Sequence, residues 1–246
     1  MPRKISAHYV FPINTKPIKN GVIEVDDSGR ILKIINPGKE IKETAGVEFY
    51  NGILVPGFVN THCHIELAHL KGVIPEYSGL HHFISQISKI RIADKETISK
   101  AIKNADWEMQ KNGIVAVGDI SNTNYSIATK KNSKISYHTF VELFSLNPEK
   151  AKAIFKTGEK LKKELNNKGL NASIVPHTPY SVSKELFRLI IDETEKETKP
   201  TCMHNQESAS ENELFRSKSG KIFESLSNMG VDFFPNNVIS LSEHCI

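Results

Sequence analysis

The sequence predicts an α/β fold in which parallel βα units of the TIM-barrel kind follow a small all-β segment. Three observations predict it. Residues 1–55 hold short strand-like runs separated by turn residues. From residue 53 onward, near-continuous apolar runs alternate with longer stretches of helical periodicity. Histidines recur just after the apolar runs, where a barrel of this kind keeps its active site. Parallel strands buried on both faces read as unbroken apolar runs, and helices supply their crossovers. A doubly wound open sheet is the alternative, but no glycine fingerprint for a dinucleotide or a phosphate loop follows any run.

The elements follow in order. Ile5–Phe11 is largely apolar. Val22–Val25 and Arg30–Ile35 flank Asp26-Asp27-Ser28-Gly29, whose Asp and Gly residues suit a hairpin turn. Val47–Tyr50 supplies another strand. The main part then presents five apolar runs, at Ile53–Thr61, Gly113–Gly118, Ile135–Leu143, Ala172–Val175 and Pro200–Met203. Between the first two, Ile98, Ile102, Ala105 and Met109 keep a helical spacing that stops at Gly113, a C-terminal cap. Ile154, Leu161 and Leu165 mark a helix before the fourth run, and Leu186, Leu189 and Ile190 one before the fifth.

Composition narrows the function classes. The chain has 246 residues, 39% hydrophobic and 24% charged, which fits a globular domain and argues against disorder. The net charge of +4 is spread over lysines that alternate with glutamates, as in Lys160–Lys168, and no arginine cluster interleaves with aromatics. That pattern is a solvated surface rather than a nucleic-acid patch. Three cysteines, at 63, 202 and 245, form no CxxC pair, and an odd count suits a reducing compartment. No apolar run approaches the roughly 18 residues a membrane span needs. Met1-Pro2-Arg3-Lys4 is not followed by a signal-like apolar core, so a cytoplasmic location is expected.

Three motifs carry chemistry. Pro56–His64 reads PGFVNTHCH. Positions i and i+2 of a strand share a face, so His62 and His64 project together at the end of an apolar run and can bind one divalent ion. The fifth run ends in His204-Asn205-Gln206-Glu207. A third histidine at another strand end can reach the same ion across a barrel mouth. Ser208 and Glu211 read as a capping box that opens a helix, leaving Glu207 in the loop at the mouth. A carboxylate beside a metal-activated water is what a general base requires. Val175–Ser183 (VPHTPYSVS) ends the fourth run, and its two prolines fix the loop. There His177 either contacts a substrate or braces the loop.

PGFVNTHCH, PHTPYSVS and HNQESASE, in that order on successive strand ends, resemble the amidohydrolase superfamily, and within it the branch of triazine chlorohydrolases, methylthioadenosine or S-adenosylhomocysteine deaminases and guanine deaminases. The resemblance spans most of residues 5–211, and ISAHYVFPI with NGVIEVDDSGRI resembles that branch's N-terminal β-sandwich segment. It implies an incomplete (β/α)8 TIM-type barrel over residues 56–246, about five or six βα units, preceded by a β-sandwich segment over 1–55. It implies His62, His64 and His204 as ligands of one divalent metal, Zn2+ in preference to Fe2+, Glu207 as the proton shuttle, and His177 as a substrate contact. Dinuclear members carry a carboxylated lysine at the end of the fourth strand. Here Pro176-His177 stands there, which implies one metal and deamination rather than ester hydrolysis.

The resemblance also implies residues that the chain does not readily supply. A sixth-strand histidine is expected, for which His244, after Val238–Ser242, is the candidate, against a histidine in a frayed chain end. An eighth-strand aspartate has no counterpart. The expected function is therefore hydrolysis of a carbon–nitrogen bond other than a peptide bond, by deamination of a small N-heterocyclic substrate. A non-catalytic metal-binding remnant of a truncated barrel is the alternative. Neither a nucleic-acid nor a membrane partner is expected, and the resemblance is compatible with a homo-oligomer.

Overall fold

The computed structural model describes residues 2–38 and 46–228. The chain divides into two compact units, Met1–Phe58 and Val59–Ile246. The first unit is one mixed sheet built on β1 (Arg3–Val10), with β2 (Ile18–Lys19), β3 (Val22–Val25), β4 (Ile31–Ile35) and β5 (Val47–Leu54). β1 pairs antiparallel with β2 and β3 and parallel with β5, and β3 pairs antiparallel with β4. The expected turn joins β3 to β4. Asp26 Oδ1 accepts from the Ser28 and Arg30 amides, each at 2.9 Å, and Gly29 takes a φ of +84°, which glycine reaches without steric cost. Ala7, Val10 and Val25 are buried, whereas Ile31, Leu32, Phe49 and Ile53 stay exposed. Among the described residues the unit is a single five-stranded sheet.

The second unit contains β6 (Phe58–Cys63), a 3-10 helix (Ile65–Leu70), α1 (Leu80–Ile90), α2 (Lys95–Lys111), β7 (Ile114–Ser121), α3 (Ile127–Asn132) and β8 (Ser136–Leu143). After these come α4 (Ala151–Asn167), β9 (Asn171–Pro176), α5 (Lys184–Thr194), α6 (Ala209–Ser217) and α7 (Gly220–Asn228). The sheet order β6-β7-β8-β9 is sequential, and β7, β8 and β9 pair in parallel. Local chemistry sets the helix ends. Asp94 accepts from the Thr97 amide at 2.8 Å to start α2, Gly113 follows its end at φ +79°, and Ser183 caps α5 through the Leu186 amide. The apolar periods fall where expected: Leu165, Leu186 and Ile190 pack on Val141, Leu143 and Ile174 between sheet and helices. Each such side chain contributes about 1.5–3 kcal/mol by leaving water. Ile98 and Ile102 of α2 pack on Val117 in the same way.

The fifth strand is a correction. Pro200–Met203 forms no ladder. It runs beside β9, where Ser173 Oγ donates to the Pro200 carbonyl at 2.8 Å, and the His204 amide donates to the His177 carbonyl at 2.9 Å. Proline has no N–H to give a ladder, so pairing is delayed to the segment's end. The sixth-strand candidate and His244 lie outside the described residues. No described helix is long and apolar enough to cross a membrane.

Candidate metal centre and active site

Alternation along the strands decides which side chains meet. Cys63 packs toward α2 with Ile65 and Val117, so His62 points to the opposite face, and His64, next on that face, stands just past the strand end. Val141 and Leu143 belong to the helix-side cluster while Phe140 lies opposite, with Val175. Glu142 shares the face of Phe140, and His177 continues the face of Val175 beyond β9.

The three expected histidines converge. Nitrogens of His62, His64 and His204 lie within 4.8 Å of one another, and their ring centroids are 4.9–5.2 Å apart. His64 Nε2 stands 3.1 Å from His204 Nε2. Two imidazole nitrogens on one tetrahedral zinc, each bonded at about 2.05 Å, would stand about 3.3 Å apart. The donor set thus fits a single small cation.

His204 is oriented from behind. Its Nδ1 is 3.2 Å from the His177 carbonyl and 3.2 Å from Glu142 Oε1. Both neighbours only accept, so Nδ1 carries a proton, and Nε2 is the nitrogen that faces His64. The proton lines up with the carbonyl, which leaves buried Glu142 Oε1 in close charge contact but without an aligned hydrogen bond. Asn122 Nδ2 donates to the Glu142 carbonyl at 2.8 Å and to Oε2 at 3.3 Å. His177 Nδ1 bonds Ser181 Oγ at 2.8 Å, and the ring centroids of His177 and His204 are 5.2 Å apart. His177 therefore braces its loop and also faces the site.

Electrostatics separates these histidines. Burial pushes His64 down to about 4, helped by His204 and His62, and burial also lowers His177. Burial lowers His204 as well, but the Glu142 carboxylate overcomes it and the net shift is upward. Burial would raise Glu142, yet His204, His177 and His64 hold it below its ordinary value. Glu207 is exposed in the loop after His204, and its carboxylate pulls both His204 and His177 upward. The result is a cluster of imidazoles, of which His64 and His177 are pushed toward the neutral form, bounded by two carboxylates, one buried and one facing solvent.

Comparison with known proteins places this geometry. Residues 53–237 match the amidohydrolase family. The chain belongs to that family. Among curated relatives, this amidohydrolase is 32% identical over 237 residues to the 5'-deoxyadenosine deaminase of Methanococcus vannielii, covering 89% of this chain and 54% of the relative. It is 30% identical over 174 residues to an adenosine deaminase of Helicobacter pylori, covering 70% of this chain and 42% of the relative. Among solved structures, Helicobacter pylori aminofutalosine deaminase in complex with methylthio-coformycin superimposes with a TM-score of 0.72 at 25% identity, over 89% of this chain and 54% of that one. The chain thus spans about half the length of the curated relatives it matches. These neighbours imply a (β/α)8 barrel; β6 to β9 are four consecutive strands of one sheet, with β7, β8 and β9 in parallel. Members of the family generally bind a divalent metal.

Three carboxylates of this amidohydrolase escape the sequence reading. Glu142 backs His204. Its signal is a lone carboxylate within the apolar run Tyr137–Phe144. Glu66, two residues after His64, is buried and accepts from Ser121 Oγ at 2.7 Å, the Asn122 amide at 3.1 Å and the Thr123 amide at 3.0 Å. Through Asn122 it joins the loop after β6 to Glu142. Glu211 is visible in the sequence only as a helix cap, yet it reaches past the cap.

Proposed function

We propose that this chain carries the metal-binding half of a deaminase that hydrolyses the exocyclic amino group of an adenine-type nucleoside. The convergence of His62, His64 and His204, with Glu207 three residues after His204, carries the reading. His62, His64 and His204 would hold one divalent ion, Zn2+ in preference to Fe2+ because the donors are imidazoles. When bound, such an ion lowers the pKa of a water toward about 7 and so supplies the nucleophile.

The chain's own groups do the rest. Glu142 and the His177 carbonyl keep the proton of His204 on Nδ1, so that Nε2 is the donor. Glu207 takes a proton from the attacking water and returns it to the departing amine, so that R–NH2 and H2O become R=O and NH3. His177, neutral because it is buried, contacts the heterocycle while Ser181 holds its ring. One ion suffices, since β9 ends in Pro176-His177 with no lysine to bridge a second.

The names of the relatives support the substrate class: adenosine, 5'-deoxyadenosine and aminodeoxyfutalosine deaminases all recur among them. They also disfavour the alternative of a non-catalytic remnant. The test uses the 246-residue chain loaded with zinc. Bound metal is counted beside a His62→Ala/His204→Ala variant, and ammonia release is followed with adenosine, 5'-deoxyadenosine and aminodeoxyfutalosine. About one zinc per chain, lost in the variant, together with ammonia from one of these nucleosides, is expected. Zinc no higher than in the variant would overturn the metal site. Zinc without ammonia from any of the three would overturn the deaminase reading of this chain.

A further inference from the structure

We propose that Glu211 is a positioning residue that fixes Glu207 by clamping the backbone on which it stands. The proposal rests on the reading of Glu207 as the general base. A capping box returns the carboxylate of the fourth residue to the amide of the cap residue itself. Here half of the box behaves so: Ser208 Oγ accepts from the Glu211 amide at 3.3 Å. The Glu211 side chain goes further back along the chain. Its Oε1 accepts from the Gln206 amide at 2.8 Å, and its Oε2 from the Glu207 amide at 2.8 Å. Both oxygens of one carboxylate thus grip two successive N–H groups, the second belonging to the base.

Two further observations show that packing alone does not require this residue. Glu211 is 1% exposed, and no cation pairs with it among the described residues. Burying a charge is costly unless it is well hydrogen-bonded, so a purely structural position beside Leu214 would favour an apolar side chain. In addition, Gln206 adopts φ +58°, a left-handed conformation that non-glycine residues take only when their surroundings impose it. The two-pronged bond imposes it. α6 supplies a rigid base for the clamp, since Leu214, one turn below Glu211, is fully buried. Glu207 consequently leaves the chain at a fixed point three residues after His204, with its carboxylate near His204, His177 and Tyr180.

The test compares Glu211→Gln with Ser208→Ala, which removes the helix cap and leaves the clamp. An amide side chain offers one oxygen, so it can accept one of the two N–H groups and turns its own NH2 against the other. In Glu211→Gln the amides of Gln206 and Glu207 should exchange with deuterium at least ~10-fold faster, while β8 and β9 keep wild-type protection. Bound zinc should not change. With a deaminated nucleoside, kcat should fall ~10–100-fold with KM within about twofold of wild type, and adding the substitution to Glu207→Gln should cost nothing more. Ser208→Ala should leave exchange at Gln206 and Glu207 slow. The proposal is overturned by unchanged exchange at the two amides, by loosening spread evenly over the barrel, or by a kinetic loss that adds in full to Glu207→Gln. If the wild-type chain releases no ammonia, the base assignment of Glu207 falls, and the exchange data still decide whether the clamp exists.

Discussion

Lys130→Met should be among the most damaging single changes in the second unit, and its cost can be worked from the contacts. Lys130 Nζ lies 2.6 Å from Asp119 Oδ2, and both side chains are fully buried. The lysine also donates to Thr139 Oγ1 at 2.8 Å. Burial raises the Asp119 carboxyl and Lys130 pulls it back down, so the acid depends on this partner to stay ionised. Its other oxygen accepts from the Ile65 amide at 2.7 Å, directly after His64. Methionine keeps the stem's volume and removes the charge. A buried charge stripped of its partner costs about 3–5 kcal/mol. Unfolding entropy of about 2.1 cal/mol/K per residue, over the roughly 170 described residues of the unit, is about 0.36 kcal/mol/K. The melting temperature should therefore drop by about 8–14 °C. Asp119→Asn/Lys130→Met keeps an acceptor for the Ile65 amide and leaves no charge, and should recover at least half of the loss. Thermal unfolding by circular dichroism on all three proteins decides the matter. A single variant within about 1 kcal/mol of wild type, or a double variant no more stable than Lys130→Met, would refute the reasoning.

Three other outcomes follow from named contacts. A Cβ at Gly118 would stand 2.7 Å from the Thr61 carbonyl, the residue before His62, and 3.0 Å from the Phe140 ring. Gly118→Ala should cost about 1–3 kcal/mol in urea unfolding and weaken zinc binding, whereas alanine at exposed Gly38 should leave zinc binding at the wild-type level. Glu142→Gln should weaken zinc affinity about 10–100-fold in a chelator competition, because the carboxylate that makes His204 more basic is gone; wild-type affinity would show that the His177 carbonyl alone orients the ring. Lys162 Nζ contacts Glu193 and Glu197, each at 2.8 Å, and the hydrogen bond from Lys162 holds Glu197 below its ordinary value. A depressed carboxylate contributes stability above its unfolded pKa of about 4.5 that is lost as pH falls through the lower folded value. Acid titration of the urea midpoint should therefore fall less steeply below pH ~4.5 in Lys162→Met than in wild type, and equal slopes would remove this bridge from the account.

The features legible in the sequence are those set by period and by chain order. Ile98, Ile102, Leu165, Leu186 and Ile190 reach the core because spacing along a helix decides facing without reference to the rest of the chain. His62 and His64 share a face for the equivalent reason in a strand, and His204 joins them because its segment runs beside β9 and reaches the same end of the sheet. The segment at Pro200–Met203 breaks this logic. Its apolar character reads as a strand, but a ladder needs donors, and Pro200 has none to give. The carboxylates escape for a different reason. Glu142, Glu66 and Glu211 act through partners 62, 56 and 4 residues away, at His204, Asn122 and Glu207, and no local period records such pairings. In composition they are indistinguishable from the solvated glutamates of α4. Burial separates them, since a glutamate without a lysine or arginine beside it in sequence enters the interior only where hydrogen bonds or charged partners receive it. At His204 that reception is the chemistry itself, because the same carboxylate that needs a partner fixes which nitrogen of the imidazole is left to act as a donor.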